Sequence, residues 1–178
     1  IDAALIETDG RTVRVFGPAL TLPYPPPFRA RLRAAIGRPP GEAARAVEGE
    51  LTERHAEAAR ELCREAGLAP AAVDVVGFHG QTVFHRPATR ETHQIGDGQR
   101  LADAVGITVV ARFREADVMA GGEGAPLVPV YHRARAAGLK TPLAVVNIGG
   151  VANVTWIGAT PAGRPDVAGA PAEAGEEG

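Results

Sequence analysis

Three short segments hold the residues whose types and spacing can do chemistry. His79-Gly80-Gln81-Thr82 closes an apolar run from Val73 to Phe78. Its imidazole, amide and hydroxyl groups supply the mixed donors and acceptors that recognition of a polyol requires. Arg114 and Asp117 follow a second apolar run, Ile107 to Ala111. A guanidinium can grip a carboxylate or phosphate through two hydrogen bonds, and the same two residues also fit an ordinary surface ion pair. The third segment is Asn147 to Asn153, with Gly149 and Gly150 at its centre. Adjacent glycines turn with positive φ and let backbone N–H groups approach an anion with no Cβ in the way. Gly149, Gly150, Asn147 and Asn153 can therefore hold nucleotide phosphates, but a plain hairpin with a Gly-Gly turn explains the stretch equally well.

Other candidates carry less. His79, His85 and His93 match no usual zinc spacing, and no second cysteine or acidic cluster joins them, so no metal site is expected. His55 falls on the apolar stripe of a helix and reads as a partnered packing residue. Cys63, the only cysteine, lacks a nearby His or a CxxC and reads as inert. There is no GxxxxGK[ST] and no GxSxG.

The elements that must position these segments follow from hydrophobic period and turn residues. Residues 1–16 alternate as a hairpin about Asp9-Gly10. Residues 17–27 are proline-rich and read as a connection, with a short helix after them from Phe28 to Ile36. Glu42 to Ala66 places Val47, Leu51, Ala58, Leu62 and Ala66 on one helical face, and Gly67 ends it. Val73 to Phe78 and Ile107 to Ala111 read as strands buried on both faces. Short strands are expected at Val83 to His85 and Thr92 to Ile95, and helices at Gln99 to Val105 and Leu127 to Ala137. Leu143 to Thr155 reads as strand, glycine turn, strand. Alternating strands and helices at this spacing predict an α/β fold with parallel strands and crossover helices. Ligands of such sheets bind beyond the carboxyl ends of strands. Those ends carry the three chemical segments.

The chain has 178 residues, 45% of them hydrophobic and 22% charged, as in ordinary globular proteins. A net charge of −2 gives no basic field for nucleic acid or an anionic membrane. No apolar run is long enough to span a bilayer. A lone cysteine fits a reducing compartment, hence the cytoplasm. An opening on Ile1 inside a strand pattern predicts further chain ahead of it. Residues 159–178 are nearly all Ala, Gly, Pro and Glu, and are expected to be a disordered tail.

The segments IDAALIE, LPYP, VVGFHGQTVFHRP, QIGDGQRLAD, GITVVARFREADV, GGEGAPLVP and VVNIGGVANVT occur in this order over about residues 1–158. Together they resemble the anhydro-N-acetylmuramic acid kinases, bacterial enzymes of peptidoglycan recycling in the acetate and sugar kinase, heat-shock chaperone and actin superfamily. The resemblance implies a mixed β-sheet with crossover helices, the first lobe of a two-lobed actin-like sugar kinase fold. Residues 1–142 would be that lobe, and residues 143–158 would begin the second lobe with a phosphate-binding hairpin. It implies ATP-dependent opening of 1,6-anhydro-N-acetylmuramic acid to N-acetylmuramic acid 6-phosphate, with ATP and Mg2+ as cofactors. The partners would be the sugar and ATP, with neither nucleic acid nor membrane, and the complete enzyme would form a homodimer. His79, Gly80, Gln81, Thr82, Arg114 and Asp117 would line the sugar side. Gly149, Gly150 and Asn153 would bind nucleotide phosphate.

Departures from the family pattern bear on activity. The family's GTSxDG phosphate loop and its DTGPGN segment, which carries the catalytic aspartate, are both absent. Glu123 stands where the family usually has Gln, and Glu115-Ala116 where basic residues are common. The chain alone is therefore expected to be inactive. A non-catalytic carbohydrate-binding remnant, or a sugar kinase of the same superfamily with another substrate, fits the same residues.

Overall fold

The structure, a computed structural model, describes residues 1–148 and 152–159. Strands β1 (Asp2–Thr8) and β2 (Val13–Thr21) form the expected antiparallel hairpin. The Asp9 carboxylate accepts hydrogen bonds from the Arg11 and Thr12 backbone N–H groups at 2.9 and 2.7 Å and so closes the turn. These bonds hold Asp9 far below the ordinary carboxylate range.

β2 continues through Gly17 to Thr21, where the prolines predicted a connection. The register passes from Ala4 opposite Ala19 to Ile6 opposite Phe16, so Gly17 and Pro18 share a bulge across from Leu5. A bulge accommodates a residue without an N–H, and Pro18 therefore does not end the strand.

Helix α1 (Pro26–Ala35) buries Phe28, Leu32 and Ala35. Helix α2 (Glu42–Ala66) has the bounds the sequence predicts and ends at Gly67 in the left-handed conformation. Its apolar stripe buries Val47, Leu51, Ala58 and Leu62. The core forms where that stripe meets Phe28 and Leu32 of α1 and Phe78, Val83, Ile95 and Leu101.

Strands β3 (Val76–Phe78) and β6 (Val109–Ala111) pair in parallel, and helix α3 (Gly98–Val105) precedes β6 as the crossover. Strands β4 (Gln81–Arg86) and β5 (Glu91–Ile95) pair antiparallel between them in sequence. Helix α4 (Glu115–Ala120) follows β6. The element order is the mixed α/β architecture that the sequence predicts. The parallel strands are shorter and more open than expected: Val75 and Val110 are 49% and 50% exposed. Among the described residues every sheet is two-stranded, so β3 and β6 each leave one edge unpaired.

The first compact unit is Ile1–Val128, and a second begins at Pro129. The second contains helix α5 (Pro129–Arg135) and the antiparallel pair β7 (Leu143–Ile148) and β8 (Ala152–Ile157). Of the expected tail, residues 160–178 lie outside the described residues, as do Gly149, Gly150 and Val151.

Thr52 lies on the buried side of α2 and is fully enclosed. Its hydroxyl donates to the Glu48 carbonyl at 2.9 Å and accepts the Asp97 N–H at 3.0 Å. One turn earlier, the Glu48 carboxylate accepts the Gly96 N–H at 3.0 Å. Asp97 in turn caps α3 by accepting the Arg100 N–H at 3.0 Å. The α2 side chains thus replace water for two backbone donors of the β5–α3 turn.

His55 donates Nδ1–H to the Leu51 carbonyl at 2.8 Å and sets its ring edge-on to Phe78, with centroids 4.9 Å apart. It is a packing residue, as expected. Burial lowers its pKa below 6.5, and the nearby His79 adds to the effect against the opposing hydrogen bond.

Two stability predictions follow from this packing. Thr52→Val keeps the shape but leaves the Asp97 N–H without its acceptor, so it should cost about 1–3 kcal/mol, read from urea midpoints. A midpoint unchanged by the substitution would show that the bond contributes nothing. For His55 the folded state resists a proton that the unfolded chain takes up near pH 6.5. Its contribution is therefore complete above that pH and is lost as pH falls below it. His55→Gln should flatten the decline in urea midpoint between about pH 8 and pH 5, and an unaltered decline would assign it to other groups.

Candidate functional site

Phe78 lies opposite Ala111 in the parallel pair, so the segments after β3 and β6 leave from neighbouring carboxyl ends. His79 to Thr82 leave one, and Arg112 to Asp117 leave the other. The topology brings two of the three chemical segments to one end of one sheet, the end at which α/β sheets bind ligands.

The first segment is fixed by its glycine. Gly80 has φ +62°, and a Cβ there would lie 2.5 Å from the Ile95 carbonyl oxygen. No residue with a side chain fits that approach. The chain then enters β4 with Gln81 opposite Ile95 and Thr82 opposite Gln94. His79 is exposed, and Gln81 and Thr82 are half-buried. Gln81 donates to the Thr82 carbonyl at 3.2 Å. The Gln94 amide donates to the Thr92 hydroxyl at 2.7 Å and to the Thr82 hydroxyl at 3.4 Å. Its oxygen, Oε1, is buried with no hydrogen-bond partner among the described residues.

A cavity of about 450 Å³ opens beside this segment, between β1 and β3. Its walls include His55, Leu62, Cys63, Phe78, His79 and Gln81. Among the described residues no three of His, Cys, Asp and Glu gather as a metal site.

In the second segment, Arg114 and Asp117 do not form the simple ion pair that their spacing allows. Each holds one backbone group of the same residue, Gly124. Arg114 Nη1 donates to the Gly124 carbonyl at 2.6 Å, and Asp117 Oδ2 accepts the Gly124 N–H at 2.6 Å. Gly124 has φ +64°, and a Cβ there would lie 2.6 Å from Val118 Cγ2. Arg112, at the end of β6, instead pairs with Glu115 through Nε at 2.7 Å.

The third segment belongs to the second unit. Asn147 pairs with Asn153 across β7 and β8, next to the turn. Asn153 is half-buried and Asn147 exposed. Gly149 and Gly150 lie outside the described residues. His132 of α5 shares a hydrogen bond with the Thr155 hydroxyl at 2.7 Å, which ties the helix to the hairpin.

Sequence reasoning missed Glu48, Thr52 and Gln94. Glu48 and Thr52 left a trace: two polar residues four apart, one helical turn, beside an apolar stripe. Gln94 left none, because it meets Thr82 only through the pairing of β4 with β5.

A family model described as anhydro-N-acetylmuramic acid kinase matches residues 1–167, beyond the Gly158 at which the motifs fade. The anhydro-N-acetylmuramic acid kinase of Rhodospirillum rubrum is 57% identical over 161 residues, covering 89% of this chain and 42% of that protein. The one from Paramagnetospirillum magneticum is 55% identical over 158 residues, covering 88% and 44%. That of Azorhizobium caulinodans is 56% identical over 165 residues, covering 87% and 44%. This chain thus spans less than half the length of the curated relatives it matches. On the strength of a match along nearly all of its residues, the chain belongs to the anhydro-N-acetylmuramic acid kinase family.

Proposed function

We propose that the complete protein containing this chain is an ATP-dependent kinase that opens 1,6-anhydro-N-acetylmuramic acid to N-acetylmuramic acid 6-phosphate. Water adds to the anomeric carbon, the bond from that carbon to the bridging 6-oxygen breaks, and the 6-oxygen takes the γ-phosphoryl group while ADP leaves. The observation that carries this reading is the arrival of His79 to Thr82 and of the segment after β6 at the neighbouring carboxyl ends of β3 and β6, in a chain of this family. The imidazole, amide and hydroxyl groups of His79, Gln81 and Thr82 suit a sugar rich in hydroxyls.

In this reading residues 1–142 are the first lobe, and residues 143–158 open the second. Gly149, Gly150 and Asn153 receive nucleotide phosphate. The hairpin suits that role: residues 141–157 carry no acidic side chain to repel a polyphosphate, and Asn147 and Asn153 flank the turn with neutral donors. Mg2+ bound with ATP would supply neutralisation of the charge on the phosphates. The general base lies outside this chain. The reading includes a cytoplasmic location and a homodimer of the complete protein. Among the described residues no helix is long and apolar enough to cross a membrane.

Purified complete protein with Mg-ATP and the anhydro sugar should yield the 6-phosphate, and this 178-residue chain alone should yield none above a no-protein control. A positioned base contributes about 100- to 10,000-fold, and alignment of the two substrates contributes more. ADP release by the complete protein with a different sugar, and none with this one, would overturn the substrate. Product from the chain alone would overturn the assignment of the base.

A further inference from the structure

The cavity between β1 and β3 has two walls made of unbroken runs of chain, residues 1–5 on one side and residues 75–81 on the other. Side chains of a strand alternate between its two faces. A wall of consecutive residues is therefore the edge of a strand and not one of its faces. Both edges are unpaired among the described residues, since β1 pairs only with β2 and β3 only with β6. The further backbone bonds of these strands, between Ile1 and Leu22 and from the Val76 N–H to the Thr108 carbonyl, continue the sides already paired. Helix α2 closes a third side with Ala58, Ala59, Leu62 and Cys63.

A row of open N–H and C=O groups is a template for another strand. Two such rows on one cavity can both be met by a single strand lying between them. Neighbouring strands lie about 4.8 Å apart, layers about 10 Å apart, and each residue advances about 3.3 Å, so a strand takes up about 160 Å³ per residue. The cavity of about 450 Å³ therefore holds roughly three residues, the length of β3.

We propose that this cavity is the seat of an extended segment of the complete protein, from outside these 178 residues, which pairs with β1 on one side and with β3 on the other. The two separate sheets then become one, in the order β2, β1, inserted strand, β3, β6. The relatives are more than twice as long as the matched stretch, which leaves ample chain for it. Its side chains toward α2 are apolar, because Ala58, Leu62 and Phe78 offer no partner to a buried polar group. Those on the opposite face lie beside Val75, which is 49% exposed. The β3 wall runs on through His79, Gly80 and Gln81. One end of the inserted strand therefore opens on the candidate site, and the residues that leave it there add a further segment to that site. The pairing rests on the two open edges and not on the kinase reading above.

Hydrogen exchange in the complete protein is the test. Alternate amides of residues 2–5 and 76–78 point away from β2 and β6 and have no acceptor among the described residues. With the strand seated, those on both walls should exchange at least about a hundredfold more slowly than in an unstructured peptide. Fast exchange on either wall would overturn the proposal, since one strand between two edges must pair with both. Protection that appears only on adding the sugar would make the cavity a ligand site, and protection that grows with protein concentration would seat a strand of a second copy. Either result overturns the proposal too. Ala59→Trp gives a second reading, because its ring has room in an open cavity and none beneath a seated strand. The urea midpoint of the complete protein should therefore fall in this variant, and an unchanged midpoint would count against the strand as decisively as fast exchange. If the variant does not fold, exchange in the unsubstituted protein still decides.

Discussion

Two backbone N–H groups at the β5–α3 turn, those of Gly96 and Asp97, find their acceptors in side chains of α2. An enclosed N–H without an acceptor costs as much as a lost hydrogen bond or more. Glu48 and Thr52 meet that demand, and in doing so they fix how α2 lies against the turn. The consequences run outward from there. The turn caps α3 through Asp97, α3 delivers the chain to β6, and β6 pairs with β3. Ile95, just before the turn, is the residue whose carbonyl Gly80 approaches. The placement of His79 to Thr82 thus depends on a hydroxyl and a carboxylate of α2.

The same physical device recurs at the other segment. There a guanidinium and a carboxylate hold the carbonyl and the N–H of one residue of a glycine-rich turn, as Glu48 and Thr52 hold the N–H groups of two. In both places a charged or hydroxyl side chain from a helix or its cap satisfies backbone groups of a neighbouring turn, and a glycine permits the close approach. Backbone held in this way adopts one conformation before any ligand arrives. Preorganisation of that kind is what sugar recognition needs, because a flexible turn would lose conformational entropy on binding.

The sequence made the periodic elements plain and the long-range bonds invisible. Helix α2 has its predicted ends because its apolar stripe is long and Gly67 stops it. The Asp9-Gly10 turn was equally legible, since the chemistry that closes it is local. β2 was cut short because Pro18 is a strand breaker wherever no bulge receives it, and a bulge leaves no local mark. The burial of β3 and β6 was overstated because an apolar run reports what a strand can bury. Whether another layer is there to cover it is a separate matter. The segments of the candidate site were found because glycines and polar residues at strand ends stand out. The bonds that set them, from Thr52 to Asp97 or Asp117 to Gly124, join residues that no period connects.

The β7–β8 hairpin shows why fold and activity need the same surroundings. Val146, Ile148, Val154 and Trp156 are all exposed, and the register places Val146 opposite Val154 and Ile148 opposite Ala152 on that side. Thr155, on the other side, is buried and bonded to His132. One face is therefore served by α5, and the other presents apolar surface to water. Two strands alone are marginally stable, and a third strand or a second layer is the usual remedy. Phosphoryl transfer is catalysed by positioning and by fixed charge rather than by covalent chemistry of the protein. The relatives are more than twice as long as the matched stretch. Apolar surface of this kind on one face of a two-stranded sheet is what a further layer would bury.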